Sequence, residues 1–155
     1  MNDRDTDFMR LALAQAQRAA EMGEVPVGAV IVRYGTDVIS CECNLRENGK
    51  NALYHAEVRA IDSACRALGG WRLPECTMYV TLEPCPMCAG AIINSRIDRV
   101  VFGAYDKRAG AMGSVLDING YGLNHTCEVE GGVLEDESVE LLRDFFRKKR
   151  EKTVQ

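Results

Sequence analysis

The chain has no long apolar run, and this absence excludes a membrane-spanning protein. Hydrophobic residues make up 46% of its 155 residues, but no uninterrupted apolar segment approaches the roughly 20 residues that a transmembrane helix needs. Residues 1–7 are polar and acidic, unlike the start of a secretory signal. We therefore expect a cytoplasmic protein with no membrane partner.

The chain also lacks an even number of cysteines. The chain has seven cysteines, so they cannot all pair as disulfides within it. In a protein without an export signal, free thiols and metal ligands are expected instead. Five cysteines lie in apolar or strand-like segments, where we expect free, buried thiols: Cys41, Cys43, Cys65, Cys76 and Cys127.

Positive charge is in deficit, since 19 basic residues face 23 acidic ones and the net charge is −4. This balance argues against generic nucleic-acid binding, which needs an excess of cations. Six basic residues nevertheless lie between residues 143 and 152. Such a cluster is typical of a solvated helix end, but it can equally bind phosphate, and charge alone leaves both interpretations open.

Internal repeats, low-complexity segments and linkers are absent as well, which predicts one domain over residues 1–155. Hydrophobic periodicity predicts four helices, at residues 7–23, 55–68, 86–96 and 135–152, the last of them basic. Strand-like patterns occupy residues 25–32, 37–44, 77–82, 99–103 and 126–129. This order predicts an α/β layered domain in which the strands at 77–82 and 99–103 run parallel.

What the chain does have is His55-Ala56-Glu57, followed thirty positions later by Cys85-Pro86-Met87-Cys88 after Pro84. One histidine and two cysteines are a ligand set that a catalytic zinc uses while keeping a fourth position for water. The two thiols are three apart at a predicted helix start, so they point to the same side. The spacing H-x-E and then P-C-x-x-C is the known signature of zinc deaminases that act on nucleobases.

Glu57 stands beside the metal ligands without being needed to bind the metal. It can therefore take a proton from a zinc-activated water and pass it to a leaving amine. Two other interpretations stay open. A structural zinc clip would need a fourth protein ligand. His125, the only other histidine, could supply it, or could instead cap a turn. A zinc-stabilised RNA-binding module would have no catalysis at all.

At these motifs the chain resembles the zinc-dependent cytidine and nucleobase deaminase superfamily. More closely, it is similar to the bacterial tRNA-specific adenosine deaminases, which convert the wobble adenosine of an anticodon to inosine. The resemblance covers nearly the whole chain. Besides residues 55–57, it rests on EVPVGA at 24–29, NLRE at 44–47, YVTLEPCPMCAGA at 79–91, VFGAYD at 101–106, GAMGS at 110–114, NH at 124–125 and DFFR at 144–147.

The resemblance implies an α/β fold of three layers, with a five-stranded mixed sheet between helices. It implies a homodimer with one Zn²⁺ per subunit, bound by His55, Cys85 and Cys88, and Glu57 as the proton shuttle. The implied reaction is hydrolytic deamination of the wobble adenosine, flipped out of a tRNA anticodon stem-loop into the pocket.

The resemblance also implies which residues meet the nucleoside. Val25, Pro26 and Val27 would line the base pocket. Asn44 would hydrogen-bond the nucleoside, and Asp106 would meet the anticodon backbone. The residues by themselves are equally compatible with structural roles, because valines are common in strand cores and asparagine and aspartate favour turns.

In the basic helix, the resemblance implies that Phe145, Phe146 and Arg147 grip the anticodon loop. On pattern alone the two phenylalanines would be core residues, although one can face each way.

The segment that begins at His55 also resembles guanine deaminase, a free-base enzyme with the same zinc motif. Tyr54, just before it, replaces a smaller residue common in the tRNA enzymes and could reshape the pocket or stack on the substrate. Deamination of a free nucleobase or nucleoside such as guanine is therefore the alternative function, while the C-terminal third favours RNA.

Overall fold

In the computed structural model, which describes residues 3–154, the strands form one mixed sheet of order β2-β1-β3-β4-β5. β1 lies antiparallel to β2 and β3, whereas β3, β4 and β5 run parallel. The predicted parallel pair and the five-stranded mixed sheet are confirmed. The strands are β1 (Gly28–Arg33), β2 (Asp37–Cys43), β3 (Cys76–Leu82), β4 (Arg99–Ala104) and β5 (Glu128–Glu130).

Helices cover both faces of this sheet, which makes the predicted three layers. The helices are α1 (Asp3–Glu21), α2 (Ala56–Leu68), α3 (Pro86–Asn94) and α4 (Glu135–Val154). α1 and α4 contact each other on one face, and α2 and α3 contact each other on the opposite face. No helix of residues 3–154 is long and apolar enough to cross a membrane.

Strand β1 shows why the sheet needs two covering layers. Its side chains alternate, so Val30 and Val32 pack with α1 while Ala29 and Ile31 pack with α2 and α3. All four are fully buried, as expected for a strand covered on both faces. At Gly28 an added Cβ would lie 2.0 Å from a carbonyl oxygen of α1, so only glycine allows this close packing.

Most predicted elements lie within a few residues of the observed ones, with two informative differences. The strand predicted from residue 25 begins at Gly28, and Val25 and Val27 before it line the pocket described below. A short 3-10 helix, Ile118–Tyr121, occupies a stretch without any predicted element. The parallel strands β3 and β4 end beside the starts of α2 and α3, where open α/β sheets bind ligands.

Candidate active site

Three metal-ligating side chains converge at the starts of two helices. His55 and Cys85 occupy the positions just before α2 and α3, and neither side chain caps its own helix. The Nδ1 atom of His55 lies 3.7 Å from Cys85 Sγ and 3.5 Å from Cys88 Sγ. The three ligand atoms all lie within 4.8 Å of one another.

This geometry fits zinc. Zinc–sulfur bonds of about 2.3 Å and zinc–nitrogen bonds of about 2.0–2.1 Å place tetrahedral nitrogen and sulfur ligands about 3.6 Å apart. Both observed distances lie within 0.1 Å of that value. Across residues 3–154, no other group of three histidine, cysteine or acidic side chains is close enough to hold a metal.

His125 does not join this group. Its Nε2 atom lies 2.7 Å from the carbonyl oxygen of Ile97, a hydrogen bond that holds the ring at a turn. The group therefore has three protein ligands, the number of a catalytic zinc site rather than the four of a structural one.

Local electrostatics favour thiolate at this site. The hydrogen bond from Cys88 and the nearby His55 lower the pKa of Cys85 to about 4. The pKa of Cys88 is raised by the same contact, while the hydrogen bond to Cys85 raises the pKa of His55. The positive end of α3 also favours a negative charge on these sulfur atoms.

Glu57 is the second residue of α2, and only 4% of it is exposed. Burial raises its pKa to about 7. It lies in the same cavity as His55 and Cys85. A carboxyl group with a pKa near the working pH can both accept and return a proton, which general acid–base catalysis requires.

The cavity above the metal ligands has a volume of about 190 Å³, below the roughly 300 Å³ at which pockets for drug-sized ligands begin. Of the three residues predicted for the base pocket, Val25 and Val27 line it, while Pro26 is buried outside the lining. Asn44 also lines it, and its Nδ2 atom donates to the carbonyl oxygen of Val25 at 3.2 Å. The side chain of Arg46, which the sequence analysis missed, stands at the rim.

Asp106 also lines the cavity. Its Oδ1 atom accepts hydrogen bonds from the backbone N–H groups of Arg108 and Ala109 at 3.0 and 3.1 Å. Asp106 is therefore a turn residue and a pocket residue at once. Its role in the turn does not prevent a contact with the substrate.

Beside the cavity lies a larger groove of about 1120 Å³, which shares Val25, Leu82 and Asp106 with it. Residues 105–108 form one wall, and one face of α4 forms the other. The groove carries four cationic side chains, two on each wall: Lys107, Arg108, Lys149 and Arg150.

The structure separates the three predicted anticodon contacts in α4. Phe146 is 41% exposed and lines the groove, while Phe145 lines a second groove between α4 and the end of α1. Arg147 lies in neither groove and pairs with Asp144 at 3.4 Å. Lys149 and Arg150 share this face with Phe146, because they lie three and four positions beyond it in the helix.

Tyr54 does not line the cavity. Its ring packs against Gly49, where an added Cβ would lie 2.4 Å from the ring. Its carbonyl oxygen accepts a hydrogen bond from the Leu45 N–H at 3.0 Å. The side chain thus supports the loop that carries Asn44 and Arg46.

Known proteins resemble the chain over most of its length. The family described as the cytidine and deoxycytidylate deaminase zinc-binding region matches residues 2–104. A tRNA-specific adenosine deaminase from Bacillus subtilis is 48% identical over 149 residues, which are 96% of this chain and 92% of that protein.

Two solved structures are also similar. One comes from studies of A-to-I editing by tRNA:A34 deaminases at the wobble position of transfer RNA. It is 44% identical, with a TM-score of 0.85, over 88% of this chain and 99% of the other. A guanine deaminase from Bacillus subtilis is 30% identical, with a TM-score of 0.62, over 80% of this chain and 88% of the other.

Proposed function

Because the chain belongs to the zinc-binding cytidine and deoxycytidylate deaminase family, we propose that it hydrolytically deaminates the wobble adenosine of a tRNA anticodon to inosine. One observation carries this proposal. A cavity that holds His55, Cys85 and Glu57 adjoins a groove with four cationic side chains. A flipped-out base fits the first and the flanking RNA backbone the second.

His55, Cys85 and Cys88 would hold the metal, which fits their distances and chemistry. When bound, zinc would lower the pKa of a water molecule towards neutrality and so supply the nucleophile. The two helix starts fix the ligands, and the apolar walls formed by Val25 and Val27 would hold the base.

Glu57 would move the protons. It takes one from the attacking water and delivers it to ring nitrogen N1 of adenine, and then transfers the remaining proton of that water, from the new C6 hydroxyl, to the leaving amine. A C6–O bond forms and the C6–N6 bond breaks, so one water is consumed and one ammonia released. Asn44, held by the carbonyl oxygen of Val25, would hydrogen-bond the nucleoside.

RNA would lie along the groove. The four cations would contact phosphates, and the exposed ring of Phe146 offers a stacking surface for a flanking base. Asp106 stands where cavity and groove meet, so it would approach the backbone of the target nucleotide. Arg147, outside the groove, would contribute little beyond its charge.

The test is inosine formation by the zinc-loaded protein on an anticodon stem-loop with a wobble adenosine. A stem-loop with its adenosine in the stem serves as the control, because that base cannot flip without breaking a pair. Inosine at the wobble position alone supports the proposal. Unchanged RNA would refute it.

The proposal extends to the setting of the enzyme. The domain would comprise residues 1–155, with the basic helix at 135–152 as part of the RNA groove, and would act as a cytoplasmic homodimer with one zinc ion in each subunit. Several large apolar side chains are exposed in loops near α2 and α3, as expected at a subunit interface: Leu53, Val115, Tyr121 and Leu123. Sedimentation should give the mass of two chains.

A further inference from the structure

Two buried glutamates have no part in the proposed chemistry. Glu24 is 0% exposed and Glu83 is 1% exposed. Within residues 3–154, neither makes an ion pair with a lysine or arginine. Burying a charge is costly unless hydrogen bonds replace its water, so the donors around each carboxylate reveal what it holds.

Glu83 gathers donors from one loop. Its Oε1 atom accepts from the Asp106 N–H at 3.0 Å, and its Oε2 atom accepts from the N–H groups of Met112 and Ser114 at 3.0 and 3.1 Å. The Ser114 hydroxyl also donates to Oε1. One side chain thus fixes both ends of the loop of residues 106–114.

Gly110 shows how closely this loop wraps the carboxylate. A Cβ added there would lie 2.4 Å from the carboxyl group of Glu83, which no real contact allows. Glycine is required by the approach of the backbone to the anion rather than by a left-handed conformation.

Glu24 anchors a second loop in the same manner. Its Oε1 atom accepts from the Glu47 N–H at 3.0 Å, and its Oε2 atom accepts from the N–H and the side-chain amide of Asn48, both at 2.6 Å. The loop that it anchors carries Asn44 and Arg46, which line the cavity.

Both anchored loops contribute to the lining of the cavity. One contributes Asn44 and Arg46 to its lining, and the other contributes Asp106 and Ala109. In the chain, Glu24 directly precedes Val25 of the base pocket, and Glu83 lies two residues before the ligand Cys85. Each carboxylate therefore ties a wall of the site to one substrate-facing loop.

We propose that Glu24 and Glu83 are positioning residues, which set the two loops at the spacing that the RNA substrate requires. This inference rests on the proposed function. Neither residue touches the reacting atoms. Misplacing a substrate-positioning group by about 1 Å can cost about 100-fold in rate, so loosening either anchor weakens the use of RNA while the metal site stays intact.

The experiment compares Glu24→Gln and Glu83→Gln with Asp5→Asn in the full zinc-loaded protein. Asp5 is equally buried, but it binds Arg99 and Tyr79 at the far end of the sheet. Both Gln variants should lower kcat/KM for the stem-loop about 10- to 100-fold, mainly through a higher KM, with one zinc per chain. Asp5→Asn should lose stability at unchanged KM.

Milder variants guard against misfolding. Asn48→Ala and Ser114→Ala each remove one side-chain donor from an exposed position and leave the carboxylates in place. Each should raise KM by less than its Gln counterpart. Unchanged KM in all four variants, or a rise in KM that is matched by loss of zinc, would overturn the inference.

Hydrogen exchange separates this inference from the proposed function. In Glu83→Gln the amides of Met112 and Ser114 should exchange faster, and in Glu24→Gln those of Glu47 and Asn48, with Asp5→Asn as the control. If the parent protein leaves RNA unchanged, the proposed function fails, yet the exchange rates still decide the anchoring. Unchanged protection at these amides would overturn it.

Discussion

At the scale of single residues, Glu57 allows the proposed proton transfer to be tested separately from metal binding. It lies in the cavity with His55 and Cys85, is almost fully buried, and is not one of the three metal ligands. We predict that Glu57→Gln keeps the fold and the zinc content and lowers turnover about 10²- to 10⁴-fold, the usual contribution of general acid–base catalysis. Single-turnover inosine formation and metal analysis measure both quantities.

A Glu57→Gln protein with full zinc and parent-like turnover would remove the proton-shuttle role. If the equal turnover of both proteins comes from a contaminating enzyme, the result favours a zinc-stabilised RNA-binding module without catalysis.

The cysteines allow a matched test of the metal site. Cys85 and Cys65 are both partly exposed thiols, but only Cys85 lies with His55 and Cys88. We predict that Cys85→Ser loses most of its zinc and its activity, while Cys65→Ser retains one zinc per chain. Metal analysis after dialysis against a weak chelator gives the stoichiometry. Equal zinc content in both variants would contradict this assignment.

The metal ligands could be predicted from their residue types and spacing, whereas the partners of the two buried glutamates could not. His55, Cys85 and Cys88 could be predicted because few sites need that ligand set at the two starts of successive helices. Glu24 and Glu83 gave no comparable signal, because their donors are mainly backbone N–H groups, which almost any residue provides. A glutamate that binds backbone N–H groups needs no particular partner residue.

At the scale of elements, the packing of α4 determines which cations line the groove. Lys149 and Arg150 share the groove face with Phe146, whereas Arg147 pairs with Asp144 outside the groove. The basic cluster was visible in the sequence, but its facing depends on how α4 packs on β4 and α1. The sequence therefore predicted a basic helix, whereas the structure shows which of its cations line the groove.

This facing makes a prediction about charge reversal. Lys149→Glu and Arg150→Glu should each weaken stem-loop binding and reduce the salt dependence of affinity by about one phosphate contact. Arg147→Glu, with the same change of net charge on the same helix, should have a smaller effect on both. Fluorescence anisotropy over a series of salt concentrations measures affinity and slope together. Equal losses in all three variants would mean that net charge, and not the groove, governs binding.

At the scale of the whole molecule, one buried network joins the first helix to the sheet. Asp5 accepts two hydrogen bonds from Arg99, both at 2.8 Å, and one from the Tyr79 hydroxyl at 2.8 Å. Arg99 also reaches Glu130 at 2.6 Å. The network ties α1 to β3, β4 and β5, so it stabilises the layered fold far along the chain from the metal motif.

The network predicts how stability depends on pH. The hydrogen bond from Arg99 lowers the pKa of Asp5 below its ordinary value. A lowered pKa gives stability that is fully present above the unfolded value of about 3.9 and is lost as pH falls through the folded value. Asp5→Asn should therefore cost about 2 kcal/mol at pH 7 and flatten the decline of stability in acid.

Urea unfolding at several pH values measures this dependence. If Asp5→Asn and the parent protein decline in parallel below pH 4, the network does not contribute in this way. The fold class itself was predictable, because alternating strand and helix patterns fix a layered sheet without any knowledge of this network.

The central claim is that the cavity and the groove together select an adenosine within RNA. The most direct measurement offers the zinc-loaded protein an anticodon stem-loop with a wobble adenosine and free guanine in the same vessel. We predict inosine at the wobble position and no xanthine above a protein-free control. Xanthine formation with unchanged RNA would contradict the claim, because it would keep the zinc chemistry and assign it to a free base.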